Sequence, residues 1–332
     1  MKTLKISFLQ STPDFGREGM LQLLKSRYHV GEDDSDFDYL VATPWFYVTR
    51  EAFYDFLERA PGHITVMYGC HEAIAPDFML FDYYIGLDTV PGSDRTVKLP
   101  YLRHHLEEVH GGKEGLDAHA LLASKTGFCN FIYANRKSHP NRDSMFHKLS
   151  AFRFVNSLGP HLNNTPGDGH RAEDWYASSI RMKKPYKFSI AFENAWYPGY
   201  TSEKIVTSML AGTIPIYWGN PDISREFNSA SFINCHDFPT LDDAAAYVKK
   251  VDEDDNLWCE IMSRPWKTPE QEARFLEETE RETAKLYKIF DQSPEEARRK
   301  GDGTWVSYYH RFLKRGHRMQ LAWRRLKNRL RR

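Results

Sequence analysis

Short unbroken apolar runs alternate along this chain with stretches whose apolar residues recur every three or four positions. The run at 4–9 predicts a first strand, the spacing at about 18–27 a helix, and 28–30 and 39–43 two further strands. A helix around 51–59 leads into a strand at 64–67, and the LFDYYIGLD run at 80–88 reads as another. Strands alternating with helices imply a parallel sheet covered on both faces. The alternation restarts near Lys125, with a strand at 128–133, a loop over 135–142, a helix through 149 and a short strand within 155–159. Beyond position 240 the pattern is helical, at 242–251 and 268–290, with Ser293 placed to cap a further short helix.

The densest stretch is 187–221, KFSIAFENAWYPGYTSEKIVTSMLAGTIPIYWGNP. Its apolar run at 188–192 predicts a buried strand. Thr201 or Ser202 can cap a helix on which Ile205, Val206, Met209 and Leu210 share one face. Gly212 suits the helix C-terminus, and 213–218 predicts the return strand. Ligands of such sheets bind beyond the carboxyl ends of the strands, where 193–204 fall.

Composition adds bounds. A chain of 332 residues should form two domains. Its 45 basic and 45 acidic residues cancel, but unevenly: 311–332 carries ten Lys/Arg and no Asp/Glu. Phe312, Met319, Trp323, Leu326 and Leu330 recur there at helical spacing, which predicts a basic amphipathic helix lying on an anionic membrane surface. No nucleic-acid partner is expected. Cys70, Cys129, Cys235 and Cys259 show no metal or redox spacing and read as free thiols of a reducing compartment. No apolar run approaches the ~18 residues of a membrane span and no signal peptide precedes the first strand, so a cytoplasmic protein, peripheral on the inner face of the membrane, is expected.

Candidate chemistry gathers at a few positions. The loop after the 188–192 strand offers Asn194, Tyr200, Glu203 and Lys204, with Gly199 allowing close backbone approach. Lys204 falls in a first helical turn, where a cation is mildly unfavourable and unpaired N–H groups favour an anion. A phosphate partner explains it; a solvated lysine paired with Glu203 is the alternative. Arg142, at a loop–helix junction, can grip a phosphate with its fork. His71 and Glu72 follow a strand end directly. The acidic run Glu32, Asp33, Asp34, Asp36 and Asp38 has DxD spacings but links two strands and reads as a solvated loop. His104, His105, His110 and His119 lack metal-ligand spacing and read as part of a polar loop that can touch an acceptor.

FEN at 192–194, GYTSEK at 199–204, AGTIPIYWG at 211–219 and FN…SFIN at 227–234 resemble the α1,3/4-fucosyltransferases, glycosyltransferase family 10. The resemblance spans about 64–265. It implies an α/β, GT-B type architecture: two Rossmann-like domains facing a cleft, with a C-terminal helical extension. The expected divisions are 1–122 for acceptor binding, 123–268 for GDP-fucose binding and 269–332 for the helices and basic tail. The implied reaction is inverting transfer of L-fucose from GDP-fucose to an acceptor glycan, commonly the 3-OH of GlcNAc in N-acetyllactosamine. The resemblance implies that Glu72 is the catalytic base, although HEAIAP stands where relatives carry acidic-Asn-Glu-Ser-Pro. It implies that Arg142 binds the donor phosphates, with Asn135 also on the donor side although their spacing differs by about one residue from that of relatives, and that Asn194 and Tyr200 shape the donor pocket; Asn163, Asn164 and Thr165 match less specifically. Lys204 is expected to assist Arg142, Glu203 to stabilise the oxocarbenium-like sugar, and no metal to be required. Golgi relatives carry an N-terminal membrane anchor, so a bacterial member acting on lipid-linked glycans such as lipopolysaccharide is expected. The alternatives are transfer of another nucleotide sugar on the same scaffold, or a catalytically silent nucleotide- or sugar-binding protein.

Overall fold

The structure is a computed structural model that describes the chain except for residues 71, 88–89, 91, 99–112, 114, 167–173, 302 and 330–332. His71, His104, His105, His110 and Asp302 therefore lie outside the described residues. The chain divides into two compact units, one of Met1–Tyr101 with Glu280–Arg332, the other of Leu102–Thr279.

The first unit opens with β1 (Thr3–Phe8), α1 (Asp14–Lys25), β2 (His29–Glu32), β3 (Tyr39–Ala42), α2 (Arg50–Arg59), β4 (Ile64–Tyr68), β5 (Tyr83–Gly86) and β6 (Thr96–Lys98). The strands form one sheet in the order β2-β1-β3-β4-β5-β6, every pairing parallel. Alternation along the strands explains why both faces need cover. Tyr39, Val41, Ile64, Val66 and Tyr68 enter one apolar cluster with Met20 and Leu24 of α1. Leu40, Ala42 and Met67 enter another with Phe56 and Leu57 of α2. The acidic run links β2 to β3, where Asp36 pairs with Lys5 and Asp34 with Arg59.

The second unit contains α3 (Ala118–Ala123), β7 (Gly127–Phe131), α4 (Asn141–Phe152), β8 (Val155–Ser157), α5 (Trp175–Lys183), β9 (Tyr186–Phe192), α6 (Glu203–Leu210), β10 (Ile214–Trp218), β11 (Ile233–Asn234), α7 (Leu241–Glu253) and α8 (Asp255–Ser263). Its sheet runs β11-β10-β9-β7-β8, again all parallel. Gly212, at φ +65°, ends α6 in the left-handed conformation that glycine takes without strain. Asn164, in the motif at 163–165, holds backbone together. Its side chain accepts from Ser157 N and donates to Val155 O, closing the loop onto β8.

Helix α9 (Pro269–Asp291) carries the chain from the second unit back into the first, where Leu286, Ile289 and Phe290 complete the α1-side cluster. Ser293 and Glu296 form the reciprocal cap of α10 (Pro294–Ala297). Buried Asp82 then accepts the backbone N–H groups of Arg299 and Lys300. The last helix, α11 (Thr304–Arg329), begins before the basic tail and lays Tyr309 and Leu313 on the α2-side cluster. Trp305, Tyr308, Phe312, Met319 and Trp323 form an adjoining exposed stripe, with Trp305 79% and Trp323 70% exposed. All four cysteines are free and buried. Among the described residues, no helix is long and apolar enough to cross a membrane.

Candidate active site

The second unit concentrates charge beyond the carboxyl ends of β9 and β10. Their register sets Trp218 against Phe192, and the Glu193 N–H continues the ladder to Trp218 O at 2.8 Å. The Glu193 side chain then turns inward, fully buried, over Gly219. A Cβ at residue 219 would stand 2.4 Å from Glu193 Cγ, so only glycine leaves room there.

Three donors converge on the Glu193 carboxylate. Ser202 N reaches Oε1 at 2.8 Å, while Ser202 Oγ and Lys204 Nζ reach Oε2 at 2.6 and 3.1 Å. Ser202 is the N-cap residue of α6, as expected, but its hydroxyl makes no capping bond to the helix. It donates to Glu193 instead, because a buried carboxylate left without donors costs more than a missing cap. Burial pushes the Glu193 carboxyl up, opposed by Lys204 and Ser202. Burial works to lower Lys204, yet Glu193 and Glu203 outweigh it and hold the lysine charged, well above its ordinary value. The Lys204 side chain remains 17% exposed, and Glu203 Oε1 lies 3.6 Å from its Nζ. A charged ammonium is thus braced from below in the first turn of α6, where an anion is favoured.

Arg142 is the second buried cation. It stands in the first turn of α4, its guanidinium 4.3 Å from the ring centre of Tyr133. Nη1 donates to Asn194 Oδ1 at 3.2 Å and Nη2 to the Asn135 carbonyl, while Nε has no hydrogen bond among the described residues. Burial lowers its hold on its proton, and Asp143, at 3.8 Å, is turned toward His161. Such a cation lacks a full counter-charge. Arg142 bonds to Asn194 and Lys204 to its neighbour Glu193, which places the two cations on one side of the unit. Asn220, fully buried, fixes the intervening loop by accepting from Gly199 N and donating to Thr201 Oγ1.

The structure therefore joins Asn135, Arg142 and Asn194 in one hydrogen-bonded group, and sets Glu203 beside Lys204 as an ion pair at 3.6 Å. Asn135 engages Arg142 through its backbone carbonyl; its side chain accepts from Lys137 N. Sequence reasoning missed Glu193, Tyr133 and Asn220. Glu193 stands inside the FEN motif, but nothing in the pattern shows that its side chain turns beneath Lys204.

Glu72 belongs to the first unit, beyond the end of β4, and is half-buried. Its N–H donates to Gly69 O, closing a tight turn that contains Cys70 at φ +50°, and its carbonyl accepts from Ile74 N. Burial, with help from the charge of Glu72, pushes the Cys70 thiol up to about 12. His119 has a structural contact in the second unit, its Nδ1 3.5 Å from Cys259 Sγ. Among the described residues no cluster of His, Cys, Asp and Glu is arranged to hold a metal ion.

This α/β arrangement of two parallel sheets is shared with solved glycosyltransferases of the GT-B type. A crystal structure of an α1,3-fucosyltransferase superposes with a TM-score of 0.66, at 24% identity, over 85% of this chain and 90% of that one. The structure of an α1,3-fucosyltransferase with GDP-fucose gives 0.64 over 85% and 91%. In sequence, the α-(1,3)-fucosyltransferase of Helicobacter pylori is 29% identical over 238 residues, covering 62% of this chain and 48% of that protein. A putative fucosyltransferase of Acanthamoeba polyphaga mimivirus is 32% identical over 190 residues, 56% of this chain and 31% of its own length. The chain thus spans about half, or less, of these two relatives. The sequence profile of glycosyltransferase family 10 (fucosyltransferase), C-terminal part, matches residues 122–298, more than half of the chain and all of the Arg142–Glu193–Lys204 region. The chain belongs to the glycosyltransferase family 10 fucosyltransferases.

Proposed function

We propose that this protein transfers L-fucose from GDP-fucose, with inversion, to a sugar hydroxyl of an acceptor glycan, the 3-OH of GlcNAc in N-acetyllactosamine-type glycans. The observation that carries the reading is the Lys204 ammonium, braced on buried Glu193 and Ser202 beside a second buried cation, Arg142. A nucleoside diphosphate leaving group supplies a close counter-charge for Arg142 and can meet the partly exposed Lys204 ammonium, which its carboxylates keep protonated. As the acceptor oxygen bonds to C1 of fucose, the C1–O bond to the phosphate breaks and its electrons go to GDP. Arg142 and Lys204 stabilise that growing charge. Glu72 takes the acceptor proton, and the Glu203 carboxylate offsets positive charge on the oxocarbenium-like sugar. Asn194, Asn135 and Tyr200 shape the donor side. Two cations at the diphosphate fill the role that a divalent metal fills elsewhere, so transfer proceeds without one.

The same reading places the protein on the cytoplasmic face of a membrane. The apolar stripe of α11, Trp305 to Trp323, is exposed and continues into the basic tail. An anionic bilayer accommodates both features, and lipid-linked glycans are the acceptors found there.

The deciding experiment incubates the protein with GDP-fucose, GDP-mannose and UDP-sugars, each with N-acetyllactosamine. Fucose alone should be transferred, giving an α1,3 product, with little loss in EDTA. GDP binding without any transfer would identify a silent binding protein. Activity abolished by EDTA and restored by Mg²⁺ or Mn²⁺ would overturn the roles of Arg142 and Lys204.

A further inference from the structure

Beneath the first two turns of α6 lies a third buried cation, Lys183, the last residue of α5. Its Nζ donates to Thr207 Oγ1 at 2.6 Å, to Ser208 Oγ at 3.2 Å and to the Lys204 carbonyl at 3.4 Å. The hydroxyls pass the bonding onward, Thr207 Oγ1 to Glu203 O at 2.8 Å and Ser208 Oγ to Lys204 O at 2.7 Å. The two oxygens reached are the backbone carbonyls of Glu203 and Lys204. Every donor direction in this relay is consistent, and the three hydrogens of an ammonium match its three acceptors.

No carboxylate forms an ion pair with Lys183 among the described residues, so the charge is held at a desolvation cost that packing alone does not require. A leucine or methionine would fill the same space at lower cost. We propose that Lys183 is a positioning residue, whose ammonium fixes the start of α6 and thereby aims Lys204 at the donor diphosphate and Glu203 at the sugar it carries. This rests on the donor-site reading of those two residues.

Burial lowers Lys183 to about 7, with Glu203 and Glu193 raising it and Lys204 lowering it further. Loss of a proton leaves two hydrogens for three acceptors, so the clamp loosens as pH rises through that value. Global stability moves the other way. The folded pKa lies below the ordinary 10.5, so between about 7 and 10.5 the unfolded chain holds the extra proton and Lys183 adds stability as pH rises. A merely structural lysine would give only the second trend.

The test compares Lys183→Met and Thr207→Val with the unaltered protein, reading calorimetric GDP affinity from pH 6 to 9 and amide exchange in α6. Each variant should bind GDP at least about fivefold more weakly at pH 6, with faster exchange over the first turns of α6. The variants should also lose the decline in affinity that the unaltered protein shows as pH rises. GDP affinity within twofold of the unaltered protein, in Lys183→Met or, should that variant not fold, in Thr207→Val, overturns the proposal. If the unaltered protein binds no GDP, the donor-site reading fails. The clamp is then judged on exchange alone: unchanged α6 protection refutes it, and faster exchange supports it.

Discussion

The carboxyl edges of the two sheets treat their acidic side chains in opposite ways. In the second unit Glu193 is fully enclosed, its carboxylate held by Ser202 and Lys204. In the first unit Glu72 sits half-buried on a turn that its own backbone organises, and no hydrogen bond fixes its carboxylate among the described side chains. The first unit can enclose an acid when structure calls for it: Asp82 is fully buried and surrounded by donors from Thr65, Arg299 and Lys300. The looseness at Glu72 is therefore local. Burying an ion pair costs several kcal/mol of desolvation per charge and is a poor way to gain stability. A fold that bears this cost around Lys204 holds the ammonium in one fixed place. A half-buried carboxylate that no hydrogen bond fixes among the described side chains suits the proton-accepting role proposed for Glu72.

The sharpest way to break this comparison is Glu72→Gln, which keeps size and hydrogen bonding but cannot accept a proton. Transfer should fall by ~10²–10⁴ while calorimetric GDP affinity stays unchanged. Turnover near that of the unaltered enzyme would remove Glu72 from the mechanism. Lys204→Ala tests the other edge. Losing one hydrogen bond between charged groups should weaken GDP binding by about 10- to 100-fold and lower kcat/KM with it. It also strands Glu193, so melting temperature should drop; unchanged GDP affinity in a folded variant would mean that Lys204 serves only Glu193. The smallest effect on catalysis is expected from ending the chain after Gly316, which keeps Tyr309 and Leu313 on their cluster and removes Met319 and Trp323. Activity on soluble sugars should persist while binding to anionic vesicles is lost. Vesicle binding equal to that of the full chain would refute the membrane role.

The parallel sheets were legible because their strands are short apolar runs set between helical stripes, as at 39–43 and 188–192. Lys204 and Arg142 were legible as charges at helix starts, where a cation needs a reason. Their supports were not. Glu193 and Lys183 act through side chains that turn under α6 from β9 and α5, and that contact depends on packing between elements rather than on spacing within one. Ser202 shows the same limit: the pattern marks it correctly as an N-cap but cannot foresee that a buried carboxylate will claim its hydroxyl.

The first unit is assembled from both ends of the sequence, and this has a consequence in time. Leu286, Ile289, Phe290 and Ala297 belong to the same apolar cluster as β1, β3 and β4, and Lys2 Nζ bonds to Phe290 O at 2.8 Å. During synthesis the second unit, continuous from Leu102 to Thr279, leaves the ribosome whole. The sheet made first must wait for the last helices, on the order of ten seconds or more at ordinary elongation rates, with the α1-side apolar face only partly covered. That interval is when the nascent chain is most exposed to aggregation and to chaperones. A circularly permuted gene, placing the whole of α9 to α11 ahead of residue 1 through a linker, would shorten that interval.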